Sequence, residues 1–234
     1  MNWDKVWTPL NLERMLVGDW FTQGHAGGLL VSLWIAAIAI FGSTILGMLL
    51  GVMRTSERRS LRLPALVYIQ TLRSVPLLIL IFWAYFIPPY LGFETSKFTS
   101  VAIALTLFTA AYIAEYIRGG ILSVPDTQRE AARTLGLNAM QTQLYVVLPQ
   151  AFFNMIPAIT GRYIVTVINT SLAFLIGLTE LTDIGQQINV RLQTSPIEVY
   201  VTVMLIYFVV NRSLSAGMRL LEQRPRFNRL FLRI

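Results

Sequence analysis

The chain has 234 residues, of which 55% are hydrophobic and only 13% charged, with 19 Lys and Arg against 12 Asp and Glu. A water-facing surface needs roughly 25% charged residues, so an ordinary soluble domain and a disordered chain are both excluded. The net charge of +7 on so apolar a chain reads as a membrane-orientation signal, not as a nucleic-acid footprint. There is no cysteine, and His25 is the single histidine. Disulfides, thiolate or His-rich metal sites and cysteine nucleophiles are therefore excluded, and no catalytic or metal-binding residue is expected.

Residues 1–26 form an arm ahead of the first apolar run. Asp4, Glu13 and Asp19 offset Lys5 and Arg14, so the arm lacks the positive start of a signal peptide. Trp3, Trp7 and Trp20 fit either an arm resting at the membrane interface or ordinary packing. A helix needs about 20 apolar residues to cross a bilayer, and five runs qualify: about 27–53, 64–87, 99–117, 151–178 and 197–214. The fold class predicted is an all-α membrane protein with five transmembrane helices in one domain over 27–217, followed by a basic tail at 218–234. Ser43, Gly47 and Gly51 recur every four residues on the first span and predict close helix packing. Arg73, Glu115 and Arg162 interrupt the second, third and fourth spans.

Lys and Arg in the connecting segments decide orientation. With Met1 outside, the inner segments carry Arg54, Arg58, Arg59 and Arg62; Arg118, Arg129 and Arg133; and six arginines from Arg212 to Arg233. The outer segments carry Lys5, Arg14, Lys97 and Arg191. The excess predicts the N-terminus outside and the C-terminus inside.

The inner loop 118–149 is too long for a simple connection and carries its own signals. Thr127 with Glu130 fits a capping box, the alanines at 131 and 132 favour helix, and Gly136 is a natural stop. Asn138 with Gln141 is a second, weaker box, and Pro149 should prevent easy continuation beyond Leu148. Two short helices projecting inward could bind DNA, lie on the bilayer, or dock a partner. The second helix, Asn138 to Tyr145, has no Lys or Arg, which opposes DNA binding.

The spacing Glu130-Ala131-Ala132, then Gly136, then Val146 and Leu148-Pro149 resembles the EAA loop of ATP-binding-cassette importer permeases, with Val146 where the family usually has Ile. Arg73-Ser74-Val75-Pro76-Leu77-Leu78, the stretch Ala111 to Ile121, and Asn169-Thr170-Ser171-Leu172 are similar to motifs of the polar amino-acid uptake subfamily, closest to its glutamate/aspartate-type permeases. The resemblance covers about residues 27–217. It implies a multi-pass permease of the bacterial cytoplasmic (inner) membrane whose EAA loop is a cytoplasmic coupling helix. Glu130, Ala131, Ala132, Gly136, Leu148 and Pro149 are its ATPase-coupling residues. The implied partners are cytoplasmic ATPase subunits that bind ATP and Mg, a second permease forming a homodimer or heterodimer, a periplasmic or lipid-anchored amino-acid-binding protein, and membrane lipid. No nucleic acid and no cofactor in this chain are expected. No G-x-x-x-x-G-K-[ST] loop exists here, since the only lysines are Lys5 and Lys97, so the energy source must be a separate subunit.

On the fourth span Thr166, Asn169 and Thr170 follow Arg162 at helical spacing. With Ser171 and with Arg73 of the second span they are candidate substrate-pathway residues. Pro157 and Gly161 predict a kink just ahead of them. Arg162 could instead pair with Glu115 or another subunit and be purely structural. In the related permeases this position is more often an uncharged polar residue. A guanidinium recognises carboxylates bidentately, so an acidic or amide amino acid is the favoured substrate. The alternative is an autonomous gradient-driven carrier or channel for a small polar solute.

Overall fold

The structure is a computed structural model describing residues 2–20 and 24–222. Two short helices, α1 (Trp3–Val6) and α2 (Pro9–Val17), and a small antiparallel ladder of Gly18–Asp19 with His25–Ala26 make up the arm. The long helices follow: α3 (Gly28–Thr55), the pair α4 (Arg59–Ser74) and α5 (Leu77–Tyr90), and α6 (Lys97–Leu122). Then come α7 (Asp126–Thr134), α8 (Ala139–Thr142), a π turn at Gln143–Val147 and α9 (Leu148–Asn169). A 3₁₀ segment (Thr170–Ile176), α10 (Leu181–Leu192) and α11 (Pro196–Glu222) complete the order.

Four of these stretches are long and apolar enough to cross a membrane, and a fifth appears if the bent pair α4–α5 is one span. The pair departs from the straight second span expected at 64–87. Its two helices meet at 103°. Pro76 has no N–H to continue the ladder, and its ring forces Val75 into extended backbone (φ −103°, ψ 136°). Arg73 therefore sits beside an elbow, exposed, instead of inside a straight helix.

Glycine sets the main helix contact. A Cβ on Gly47 would lie 2.7 Å from the Ile113 side chain and 3.0 Å from the Ala110 carbonyl; on Gly51 it would lie 2.7 Å from Ile117. The small-residue stripe thus lets α3 and α6 touch backbone to side chain, as expected. Because Gly42 meets Thr106, Gly47 meets Ile113 and Gly51 meets Ile117, the two helices run parallel. The α4–α5 elbow must then carry the chain back between them. Helix α9 runs antiparallel to α6: Gly120 meets Ala151 at one end, and Thr109 bonds Thr166 farther along. Asn2 bonds Glu198 at the start of α11, and the described chain stops at the other end of that helix.

Helix α6 is the hub and is mostly buried, whereas α11 is mostly exposed. The outer face of α3 presents Trp34, Ile38, Phe41, Ile45 and Leu49 to the exterior, while Ser32, Ser43 and Gly47 face inward. Large apolar side chains outside and small polar ones inside suit a hydrocarbon solvent, where helices gain nothing by hiding leucine and associate through close packing.

The arm is bound firmly. Val6 and Met15 share a core with Leu181, Ile184, Ile188, Val199 and Val203. Trp7 donates its indole N–H to Thr202 at 2.9 Å, and Arg14 bonds Asp19 and Gln187. Of the basic tail expected at 218–234, residues 218–222 continue α11; residues 223–234 lie outside the described part.

Candidate functional site: a coupling tip and a polar column

The 126–147 segment is built by local chemistry. Helix α7 starts at Asp126 with Pro125 as its N-cap residue, so Thr127 lies inside the helix and the expected Thr127–Glu130 box is not formed. The preceding proline sets the start, since its fixed φ is ready for a turn. The helix is tied back to α6 by Arg129, whose Nη2 donates to the Ile121 carbonyl at 2.7 Å. It ends in a Schellman motif: Gly136 N donates to Arg133 O and Leu137 N to Ala132 O, with Gly136 at φ +83°. The second expected box does form. Asn138 Oδ1 accepts from Gln141 N, and Gln141 Oε1 accepts from Asn138 N, both at 2.9 Å.

Pro149 does not end this helix. The wider π turn at 143–147 precedes it, relieves the clash of its ring with the preceding carbonyls and feeds directly into α9. The Gln150 side chain satisfies the Val146 carbonyl at 2.9 Å.

Six residues expected to couple are placed in two ways. Glu130, Ala131 and Gly136 are exposed on the outside of the segment. Ala132 is buried, and Leu148 and Pro149 are half-buried, Leu148 against the core of Ile117, Ile121, Val124, Val147 and Ala151. The second group holds the segment to the bundle. Leu135, Met140 and Tyr145, which the motif did not mark, are 82%, 72% and 69% exposed. All three stand exposed within eleven residues, on a tip held by the Schellman motif and the capping box.

The polar column lies on α9. Arg162 is buried, and its guanidinium lies 3.8 Å from the centroid of Tyr112 and 4.9 Å from that of Phe108. Arg73 reaches the same Tyr112 ring, at 5.3 Å. Two guanidinium groups from different helices therefore share one aromatic ring; the contact is worth up to about 2 kcal/mol for a desolvated cation such as Arg162 and about 0.5–1 kcal/mol for an exposed one such as Arg73, less their mutual repulsion. Phe108 and Tyr112 are four apart on α6; that spacing was the available sequence signal, and it was missed.

Of the two partners weighed for a structural Arg162, Glu115 is not the one it meets. Glu115 binds Arg118 through Nε at 2.9 Å and Nη2 at 2.5 Å, the i,i+3 geometry that needs the least side-chain ordering. The Nε and Nη2 atoms of Arg162 are buried without a hydrogen-bond partner. Those two N–H groups form the edge that grips a carboxylate bidentately.

Thr166 is buried and bridges to Thr109 at 3.1 Å, while also donating to the Arg162 carbonyl. Thr170 is buried, with its hydroxyl on the Val167 carbonyl; Asn169 and Ser171 are half-buried. The helix continues through Pro157 and Gly161. It changes instead at Thr170, where it tightens to 3₁₀ and stops at Gly177 (φ +70°), whose carbonyl accepts from Lys97 Nζ. The change therefore falls within the polar column, between Asn169 and Thr170.

Glu180 was also missed. It caps α10 through the Asp183 amide at 3.0 Å, and its other oxygen accepts from Ser32 at 3.2 Å and Tyr207 at 3.1 Å. It is fully buried between α3, α10 and α11. Burial raises its carboxyl to about 7 despite these donors.

Comparison with known proteins agrees with this geometry. The family described as "Binding-protein-dependent transport system inner membrane component" matches residues 43–227. The probable glutamine ABC transporter permease protein GlnP of Bacillus subtilis (strain 168) is 37% identical over 210 residues, covering 87% of this chain and 96% of that protein. The glutamine transport system permease protein GlnP of Escherichia coli (strain K12) is 31% identical over 227 residues, covering 95% and 97%. A crystal structure of an amino acid ABC transporter with histidines superposes with a TM-score of 0.78 at 31% identity, covering 84% of this chain and 92% of that one. The chain belongs to the binding-protein-dependent inner-membrane transport family and is an amino-acid permease subunit of an ATP-binding-cassette importer, a transport component and not an enzyme.

Proposed function

We propose that this chain is the conduit through which a polar amino acid, acidic or amide-bearing, enters the cytoplasm by ATP-driven alternating access. The end carrying α7 and α8 faces the cytoplasm, and the arm faces outside. That orientation rests on the arginine excess at the α7–α8 end. Cytoplasmic ATPase subunits dock on the α7–α8 tip and bind the ATP and Mg. A second permease, identical or related, completes the path, and an external binding protein delivers the substrate. The glutamine named in the relatives supports the amide half of this preference.

The observation that carries the reading is the tip itself. Leu135, Met140 and Tyr145 stand in solvent on a segment locked by a Schellman motif and a capping box. Burying such side chains in a partner's groove is worth roughly 1.5–3 kcal/mol each, and a rigid double turn transmits a push without folding under it. Inside the bundle, the unpaired edge of Arg162 is covered in this conformation, and opening of the bundle would present it to the substrate's carboxylate as a bidentate partner, with Thr166, Asn169, Thr170, Ser171 and Arg73 as the other path residues.

Leu135→Asp with Met140→Asp tests the coupling role, because both side chains are exposed and the fold does not depend on them. The expected result is loss of ATPase co-purification and of ATP-dependent uptake, with membrane insertion unchanged. Retention of both would overturn the reading. Uptake by the purified chain alone in liposomes would replace it with an autonomous carrier.

A further inference from the structure

A cavity of about 770 Å³ opens between the end of α3, the start of α4 and the 126–147 segment. Arg54, Arg58, Arg62, Arg118 and Arg129 line it, against Glu57 as the acidic lining residue. Two of the five are engaged: Arg118 with Glu115, and Arg129 with Asp126 and the Ile121 carbonyl. No ion pair joins Arg54, Arg58 or Arg62 among the described residues. Arg58, Arg59 and Arg62 also stand at the start of α4, where the helix dipole favours negative charge and disfavours theirs. An anion in the cavity relieves both repulsions.

The wall on the other side is apolar. Val52, Leu61 and Leu122 line the same cavity and are exposed. On α3 the exposed Leu49 lies one turn before Val52 on the same helix face and extends this apolar surface. A cationic pocket running into an apolar membrane-facing surface matches an amphiphile: a phosphodiester head against the arginines and acyl chains along the leucines. A soluble anion would use the first half only. The volume suits a phospholipid headgroup.

We infer that this cavity is a binding site for an anionic phospholipid, held by Arg54, Arg58 and Arg62. The lipid bridges the α3–α4 turn and the 126–147 segment, so its head lies beside Arg129 and Met140.

Native mass spectrometry of the full-length chain in detergent tests this, with phosphatidylglycerol and phosphatidylcholine of matched acyl chains as probes. Phosphatidylglycerol should be retained in preference. Replacing Arg54, Arg58 and Arg62 with Gln should cut that retention about fivefold per charge removed, down to the phosphatidylcholine level. The triple Lys variant should keep most of it. Arg212→Gln with Arg219→Gln, exposed near the same end but outside the cavity, should leave it unchanged. If the triple Gln variant does not fold, Arg62→Gln alone decides, by one fivefold step or none.

Equal retention of the two lipids by the unaltered chain would overturn the inference. So would an equal loss from the Arg212/Arg219 pair, or displacement of the lipid by inorganic phosphate with the same arginine dependence. Loss of ATPase co-purification by the triple Gln variant with unchanged lipid retention would assign the arginines to a protein contact instead.

Discussion

Glu180 makes the fold sensitive to pH in a direction that can be worked out. Its carboxyl is raised from the ordinary 4.5 to about 7 because burial disfavours the charged form. A folded-state value above the unfolded one means the native protein holds its proton longer. Stability is then full below about pH 4.5, falls as the pH rises, and is flat again above about 7. The interval corresponds to about 3 kcal/mol. For a chain of this size each kcal/mol moves Tm by roughly 2–4 °C, so the detergent-solubilised protein should melt about 6–12 °C lower at pH 8 than at pH 4.5 on this account.

Glu180→Gln freezes the neutral form. Its amide oxygen can accept from Asp183 N, while its NH₂ donates to the Ser32 and Tyr207 hydroxyls. Those hydroxyls have other acceptors, Gly28 O and Thr182 Oγ1. The variant should match the unaltered protein at acid pH and exceed it at pH 8. All other titrating groups are common to both, so the difference between the two pH profiles isolates this one. Identical slopes would refute the reasoning, as would a variant less stable at every pH, because either result would mean that the charged carboxylate is the native form.

The remaining predictions concern packing and the polar column. Gly47→Ala should destabilise by about 1–3 kcal/mol, since its Cβ meets Ile113 at 2.7 Å, and thermal unfolding in detergent measures it. Gly161→Ala meets nothing within 4 Å and should stabilise the isolated chain by up to about 1 kcal/mol; destabilisation only in the assembled transporter would place a second permease there. Arg162→Gln and Arg162→Lys should both lower uptake of acidic and amide amino acids while assembly survives, because neither offers the bidentate edge. Loss of assembly without a change in substrate preference would make Arg162 structural.

Legibility followed the range of the interaction. Gly136 with its stop, the Asn138–Gln141 box and the glycine stripe of α3 all depend on residues a few positions apart, and all were readable. The Thr127 box failed for a local reason: Pro125 had already begun the helix. The elbow at Val75-Pro76 was also written locally, yet hydropathy averages over it and sees one span. The Tyr112 ring under two arginines, the buried Glu180 and the cavity of arginines each need three or more helices to meet; the four-residue spacing of Phe108 and Tyr112 marks a face of α6 but not the arginines that reach it.

The sequence by itself determined that this chain lives in a membrane, roughly which runs are apolar enough to cross it, and which inner loop folds into two short helices, because these follow from apolar run length and turn chemistry. Only the tertiary structure decided which arginines are paired, which face each polar residue meets and where the fourth span breaks. Burial and partner choice are set by neighbours brought together from distant parts of the chain.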